Sequence, residues 1–181
     1  MDGAQLERTR VRLEAEGWRP ALHRCNFAGL GKAMQAEGLD GFDVVFADLG
    51  VSSMQLDDPG RGFSYKHDGP LDMRMDERLR RTAADLLAAL SEEDLAAGLR
   101  DLADEPDHAR IARRIVERRE RAPITRTREL ARIVFEAKGL TRRGRRETAA
   151  IDELHPAALT FQALRIMVND ELNCLAQFLR A

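Results

Sequence analysis

Two apolar periodicities divide this chain. Near the start, Leu6 and Leu13, with Arg10 and Gly17, fall at helical spacing, which predicts a helix over Ala4–Glu16. Asp2 is placed to cap it, and Gly17 can end it with a left-handed residue. Pro20 precedes a short strand expected over Ala21–Cys25, which Asn26-Phe27 closes. A second helix is expected over Leu30–Glu37, with Gly38 at its end. Val44, Val45, Phe46 and Ala47 then form an apolar run with β-branched content, the pattern of a buried strand over Phe42–Asp48. Helix, strand, helix, strand predicts two neighbouring parallel strands with helices beside them.

From Thr82 onward the period is helical only. Thr82 with Asp85, and Ser91 with Asp94, have the spacing of capping boxes, although Asp stands where Glu is usual. The second of these helices should run to about Ala103. Pro106-Asp107 opens another, with Ile111, Ile115 and Val116 on one face and arginines on the other, ended by Pro123. Thr125 or Thr127 caps the next, which carries Leu130, Ile133 and Val134 and stops at Gly139. After a basic stretch over Thr141–Ala149, Pro156 begins the last. There Phe161, Leu164, Val168, Leu172, Leu175 and Leu179 form one apolar stripe, read as a single long helix. The predicted class is α/β, with a helical insertion over residues 77–151 and a helix returning over 152–181.

Between these regimes lies Gly50–Met75, aperiodic and rich in Gly, Pro and Asp. Structureless loops longer than about 12–15 residues are usually functional or disordered. Phe63, Tyr65, Leu71, Met73 and Met75 give this one something to pack, which argues against disorder. It follows directly on Asp48, at the carboxyl end of the second expected strand. Ligands of open α/β sheets bind outside such strand ends. A carboxylate there, followed by Ser52, Ser53 and Gln55, is a candidate site. The alternative is a plain strand, turn and solvated loop.

Composition narrows the class. Of 181 residues, 44% are hydrophobic and 33% charged, which suits a helix-rich globular protein with a largely aliphatic core. No apolar run is long enough for a transmembrane helix, and no basic-then-apolar N-terminal signal is present. Cys25 and Cys174 lie far apart without metal-type spacing, so reduced thiols, no metal site and a cytoplasmic location are expected. The net charge of −2 hides an asymmetry: residues 109–146 hold 14 basic and 4 acidic side chains. Such an imbalance points to a polyanion partner, against the alternative of helices with solvated basic faces.

Asp48-Leu-Gly-Val-Ser-Ser-Met-Gln-Leu-Asp57, Arg61-Gly-Phe-Ser64 and Asp68-Gly-Pro-Leu-Asp-Met-Arg-Met75 together closely resemble the MraW/RsmH family. A second match runs through His155-Pro-Ala-Ala-Leu-Thr-Phe-Gln-Ala-Leu-Arg-Ile166 and Val168-Asn-Asp-Glu-Leu172. Met54 stands where the family more often has proline, and Ala158-Leu159 where it has Thr-Arg. The resemblance implies a partial Rossmann-like, S-adenosyl-L-methionine-dependent methyltransferase domain with an inserted all-helical domain for RNA recognition. It also implies methylation of the N4 amino group of a cytosine in 16S ribosomal RNA. Residues 1–76 would be part of the methyltransferase domain. By the same resemblance, Phe27, Asp48 and Gln55 contact S-adenosyl-L-methionine. Asp48, with Ser52 and Ser53, has the residue types to align the amine. His155 is read as a packing or capping residue.

RNA phosphates would meet Arg142, Arg143, Arg145 and Arg146, together with the arginine face of the Ile111 helix, or else Arg61, Lys66 and Arg74. In the family a glycine-rich turn and an acidic residue precede the region matched here, and strands follow it. The chain is therefore expected to be an internal segment with impaired cofactor binding. Two other readings stand beside the enzyme: a non-catalytic RNA-binding module that keeps the basic helices, and a helical protein-interaction scaffold.

Overall fold

The computed structural model describes residues 3–140 and 155–181. Asp2, Arg142, Arg143, Arg145 and Arg146 lie outside the described residues. The chain divides into two compact units.

The first unit comprises residues 1–50, 75–78 and 170–181. Helix α1, Gly3–Ala15, ends where Gly17 turns left-handed at φ 87°, and Trp18 N–H closes back on Leu13 O. Asn26 accepts from Ala28 N–H and starts a single 3₁₀ turn, Phe27–Gly29, that leads into α2, Leu30–Glu37. Gly38, at φ 64°, ends α2 by donating back to its last carbonyls. His23 Nε2 lies 2.8 Å from Glu37 Oε1 and ties the segment before the turn to the end of α2.

The two expected strands are not formed among the described residues. Neither Ala21–Cys25 nor Phe42–Asp48 joins a ladder; among the described residues the one bridge is antiparallel, between Pro70 and Arg126. Residues 39–50 are exposed throughout, Val44 at 82% and Phe46 at 88%. A strand exists only through pairing of its N–H and C=O groups with a neighbour. The apolar run has the composition for double burial, and nothing among the described residues supplies that neighbour.

Asp76 shows how this unit stores charge. Its carboxylate accepts Arg78 N–H at 3.0 Å and the Arg78 guanidinium at 2.6 and 2.9 Å. The hydrogen bonds from Arg78 hold its pKa at about 2, against an ordinary 3.8. A lowered folded pKa stabilises the protein above the unfolded value, and that gain is lost as pH falls through the window from about 4 to 2. Urea unfolding between pH 5 and 2 should therefore show a shallower acid loss in Asp76→Asn than in the parent. Superimposable acid limbs would exclude this contribution.

The second unit comprises residues 51–74 and 79–169. It holds α3, Ser53–Asp57; α4, Ala83–Ala89; α5, Glu92–Ala103; α6, His108–Arg119; α7, Thr127–Ala137; and α8, Ala158–Asn169. Helix α4 opens with the expected capping box, in which Thr82 and Asp85 exchange bonds. Ser91 caps α5 by accepting from Asp94 N–H. Each such cap contributes about 1 kcal/mol. Leu95 and Leu99 of α5, Ile111 and Ile115 of α6, Leu130, Ile133 and Val134 of α7, and Phe161 and Leu164 of α8 are buried together as one aliphatic core. Inside it Glu105 is 1% exposed and meets Lys138 Nζ at 2.8 Å, which supplies the partner a buried carboxylate requires.

The apolar side chains of the loop decide where it packs. Phe63, Leu71 and Met73 are buried in the second unit. The long final helix is also corrected: it breaks at Asp170, φ 50°, into α8 and α9, Glu171–Phe178. Asn169 Nδ2 donates to both Arg165 O and Met73 O at 2.8 Å, which fixes the last turn of α8 before the break. One left-handed residue hardly disturbs an apolar stripe, so periodicity could not see it. Asn169-Asp170 was the available signal, since Asp and Asn tolerate that conformation.

Candidate functional site

The Gly50–Met75 stretch folds from its turn chemistry. Gly50, at φ 109°, precedes Ser52, the N-cap of α3. Ser52 Oγ accepts from Gln55 N–H at 3.3 Å, and Gln55 Oε1 accepts from Ser52 N–H at 3.0 Å. This capping box consumes the Gln55 carbonyl oxygen and turns its Nε2 into the group left to meet a ligand. Ser53, the first residue of α3, is exposed. Asp58 then accepts from Gly60 N–H and sets up a 3₁₀ turn, Pro59–Arg61, whose end lies against residues 70–72.

The remainder of the loop docks on the helices through backbone bonds. Thr127 Oγ1 donates to His67 O at 2.8 Å and accepts from Gly69 N–H at 3.0 Å, while Thr127 N–H returns to Gly69 O. Thr127 is buried and belongs to α7 itself, so it ties down the loop; the N-cap position falls to Arg126, and neither Thr125 nor Thr127 caps the helix as expected. Asp68 takes that part instead: it accepts from Arg128 N–H in the first turn of α7 and pairs with Arg126 at 2.8 Å. The Arg126 hydrogen bond, foremost, holds the Asp68 carboxyl below its usual range.

Arg61 and Arg74, offered as phosphate contacts, have internal work. Arg74 forks onto Asp72 at 2.7 and 2.8 Å and donates to Leu79 O, and Arg61 donates to Arg74 O at 2.9 Å. Burial pushes the Asp72 pKa up, but hydrogen bonds from the Arg74 side chain and backbone outweigh it and leave the carboxyl below its ordinary value. Between them Met73 sits at φ 62°, fully buried, with its N–H bonded to Arg61 O. A β-carbon in the left-handed region costs energy that the surroundings must offset, and these bonds together with Asn169 do so. The docking roles of Thr127 and Asn169 were missed from sequence, because each acts through partners remote along the chain; Asp72 pairs with Arg74 only two residues away, a spacing the sequence offered as a signal.

The other candidate residues stand apart. Phe27, half-buried in the first unit, meets Phe178 of α9 edge-on at 5.9 Å, while Asn26 donates to Cys174. Asp48, in the same unit, lies on the exposed segment without regular structure. Lys66 is exposed and has no ion pair among the described residues. The basic face of α6 is largely self-neutralised. Arg110 pairs with Asp107; Arg113 is 3.6 Å from Glu92; Arg114 is 3.1 Å from Glu117 and 3.2 Å from Glu136. Arg118 is 3.9 Å from Glu129, and Arg119 donates to the last carbonyls of α4. Exposed pairs of this kind contribute about 0–1 kcal/mol each, but they lower the self-repulsion from which a polyanion partner was argued.

No metal-binding group of three or more His, Cys, Asp or Glu occurs among the described residues, and none of their helices is long and apolar enough to cross a membrane.

Sequence comparison places the chain in a class of methyl-transferring enzymes. It belongs to the MraW methylase family, which it matches over residues 1–181. The methyl donor of that family is S-adenosyl-L-methionine. The chain is 45% identical over 178 residues to the ribosomal RNA small subunit methyltransferase H of Syntrophobacter fumaroxidans, covering 98% of this chain and 54% of that protein. Its identity to the protein of the same name from Geotalea uraniireducens is 46% over 170 residues, covering 94% and 52%. The Thioalkalivibrio sulfidiphilus counterpart is 46% identical over 159 residues, covering 87% and 48%. The chain thus spans about half the length of these curated relatives.

Proposed function

We propose that this chain is part of an S-adenosyl-L-methionine-dependent enzyme that methylates the N4 amino group of a cytosine in 16S ribosomal RNA, in the cytoplasm. The observation that carries it is family membership along the whole chain, beside relatives named for methylation of small-subunit ribosomal RNA. In the whole protein Ala21–Cys25 and Phe42–Asp48 take their places as strands of a Rossmann-like sheet, which buries Val44 and Phe46.

The residue types fit the cofactor. The Gln55 cap leaves Nε2 to donate, the Asp48 carboxylate has no hydrogen-bond partner among the described residues and can accept, and Phe27 offers a ring already steadied by Phe178. When bound, S-adenosyl-L-methionine supplies an electrophilic methyl group. Asp48 accepts a hydrogen bond from the cytosine amine, whose lone pair is otherwise delocalised into the ring. It thereby orients the nitrogen and stabilises the positive charge that develops on it. Ser52 and Ser53 bound the same loop, where they orient polar groups. The proton that the methylated nitrogen gives up passes to the hydrogen-bonded Asp48 carboxylate and from it to solvent, and no covalent bond to the enzyme forms.

The test incubates the whole protein with 30S subunits lacking the modification and methyl-labelled cofactor, then identifies the labelled nucleoside by mass spectrometry. N4-methylcytidine in 16S RNA is expected. Label on another base or at another cytosine atom would refute the reading.

A further inference from the structure

The second unit holds a groove of about 840 Å³ between residues 65–68 and helix α7. Its wall is aromatic. Tyr65 stacks on His155 with ring centres 4.0 Å apart, and Phe135 meets the other side of the cluster edge-on, 5.3 Å from His155. Tyr65 is braced from behind by the buried Phe161, 5.6 Å away. All three lining rings are half-buried, so each keeps part of its surface open.

The groove's charge is less balanced than its composition. Three carboxylates line it, and each is already engaged: Asp68 by Arg126, Glu129 by Arg118 and Glu136 by Arg114. On the other side stand Lys66, which has no ion pair among the described residues, and Arg128, whose guanidinium donates no hydrogen bond there. Arg132 reaches Glu136 only at 4.0 Å. Spare positive charge therefore borders a braced aromatic wall.

We propose that this groove binds single-stranded RNA, with an unstacked base against the Tyr65–His155–Phe135 wall and the adjoining phosphates on Lys66 and Arg128. This rests on the reading of the chain as a ribosomal RNA enzyme, and it assigns the contact to α7 and the loop, away from the arginines of α6. Aromatic platforms with cations beside them recognise single strands because every base has a π-face and every nucleotide a phosphate. The volume lies in the range of about 300–1,000 Å³ typical of small-ligand sites, enough for a nucleotide. The anchors are rigid: Thr127 holds His67 and Gly69, and Asp68 caps α7, so Lys66 is presented at a fixed place along the helix.

The test titrates the 181-residue chain with a fluorescein-labelled single-stranded RNA of mixed sequence at several salt concentrations. Lys66→Gln/Arg128→Gln should weaken binding about tenfold and flatten the salt slope by about 1.4, at roughly 0.7 per phosphate contact on a single strand. Arg110→Gln/Arg113→Gln, on the self-neutralised face of α6, should stay within about twofold. Thermal melts establish that both variants fold. RNA carrying 4-thiouridine, irradiated on the unaltered chain, should crosslink to Tyr65, Phe135 or His155. Unchanged affinity and slope in the groove variant, crosslinks confined to other segments, or equal competition by polyglutamate would overturn the assignment. If the unaltered chain binds RNA while the groove variant behaves like it, the groove alone is excluded. If the unaltered chain binds no RNA at low salt, the RNA reading falls with it.

Discussion

Asp48→Ala in the whole protein is expected to lower methylation of 16S RNA by about a hundredfold or more, the scale on which single positioned polar groups act on developing charge. The residue lies at the carboxyl end of an apolar run that has the composition of a buried strand, with Gly50 and the α3 cap directly after it. Thermal melts of the whole protein, expected to match the parent, establish that the loss is one of chemistry and not of folding. Asp48→Asn separates two roles. If Asp48 orients the amine through an accepted hydrogen bond, the amide keeps one acceptor oxygen and should retain more activity than alanine. If its negative charge stabilises the cationic transition state, the amide should fall as far as alanine does. Single-turnover rates with saturating cofactor, together with equilibrium binding of the cofactor, distinguish loss of chemistry from loss of binding. Near-normal turnover in Asp48→Ala would remove this residue from the mechanism.

Local structure was legible from sequence wherever it depends on neighbours along the chain. Gly17, Gly38 and Gly139 all adopt positive φ at the helix ends assigned to them, and Thr82–Asp85 forms its capping box. The helix over Leu30–Glu37 has the expected bounds. Reading failed where a second segment decides the outcome. The runs at Ala21–Cys25 and Phe42–Asp48 need partner strands, and composition cannot report whether these are at hand. Thr127 looked like a cap because its type and spacing allowed one, yet its hydroxyl is taken by His67 O, 60 residues away. The basic stretch looked like a phosphate surface in linear order. Folding brings Glu92, Glu129 and Glu136 beside Arg113, Arg118 and Arg114 of that stretch, while Arg142, Arg143, Arg145 and Arg146 lie outside the described residues. The chemistry-bearing loop was recognisable as a unit, but its attachment to the helices through Leu71, Met73 and Asn169 was not.

Gly69→Ala should unfold this attachment. Gly69 N–H donates to Thr127 Oγ1 and its carbonyl accepts from Thr127 N–H, so neither can shift without losing a buried bond. An added β-carbon would overlap the Pro59 carbonyl oxygen and lie 2.8 Å from the carbonyl carbon, both backbone atoms. Flexible side chains yield to such a contact, but a backbone carbonyl held in a turn does not. Relief requires residues 59–62 to separate from residues 69–72, where a β-carbon on Gly62 would likewise lie 2.7 Å from Asp72 N. That separation releases Leu71 and Met73 from the core, each worth about 1.5–3 kcal/mol of burial. The expected loss is roughly 4 kcal/mol or more, at the severe end for one substitution. Its signature is a fall in Tm on the order of 10 °C. Gly41→Ala is the matched control: its β-carbon meets nothing within 4 Å, and it should melt with the parent. Melts followed by circular dichroism decide between them. A Gly69→Ala protein as stable as the Gly41→Ala control would mean that the loop is not locked to the helices at this point.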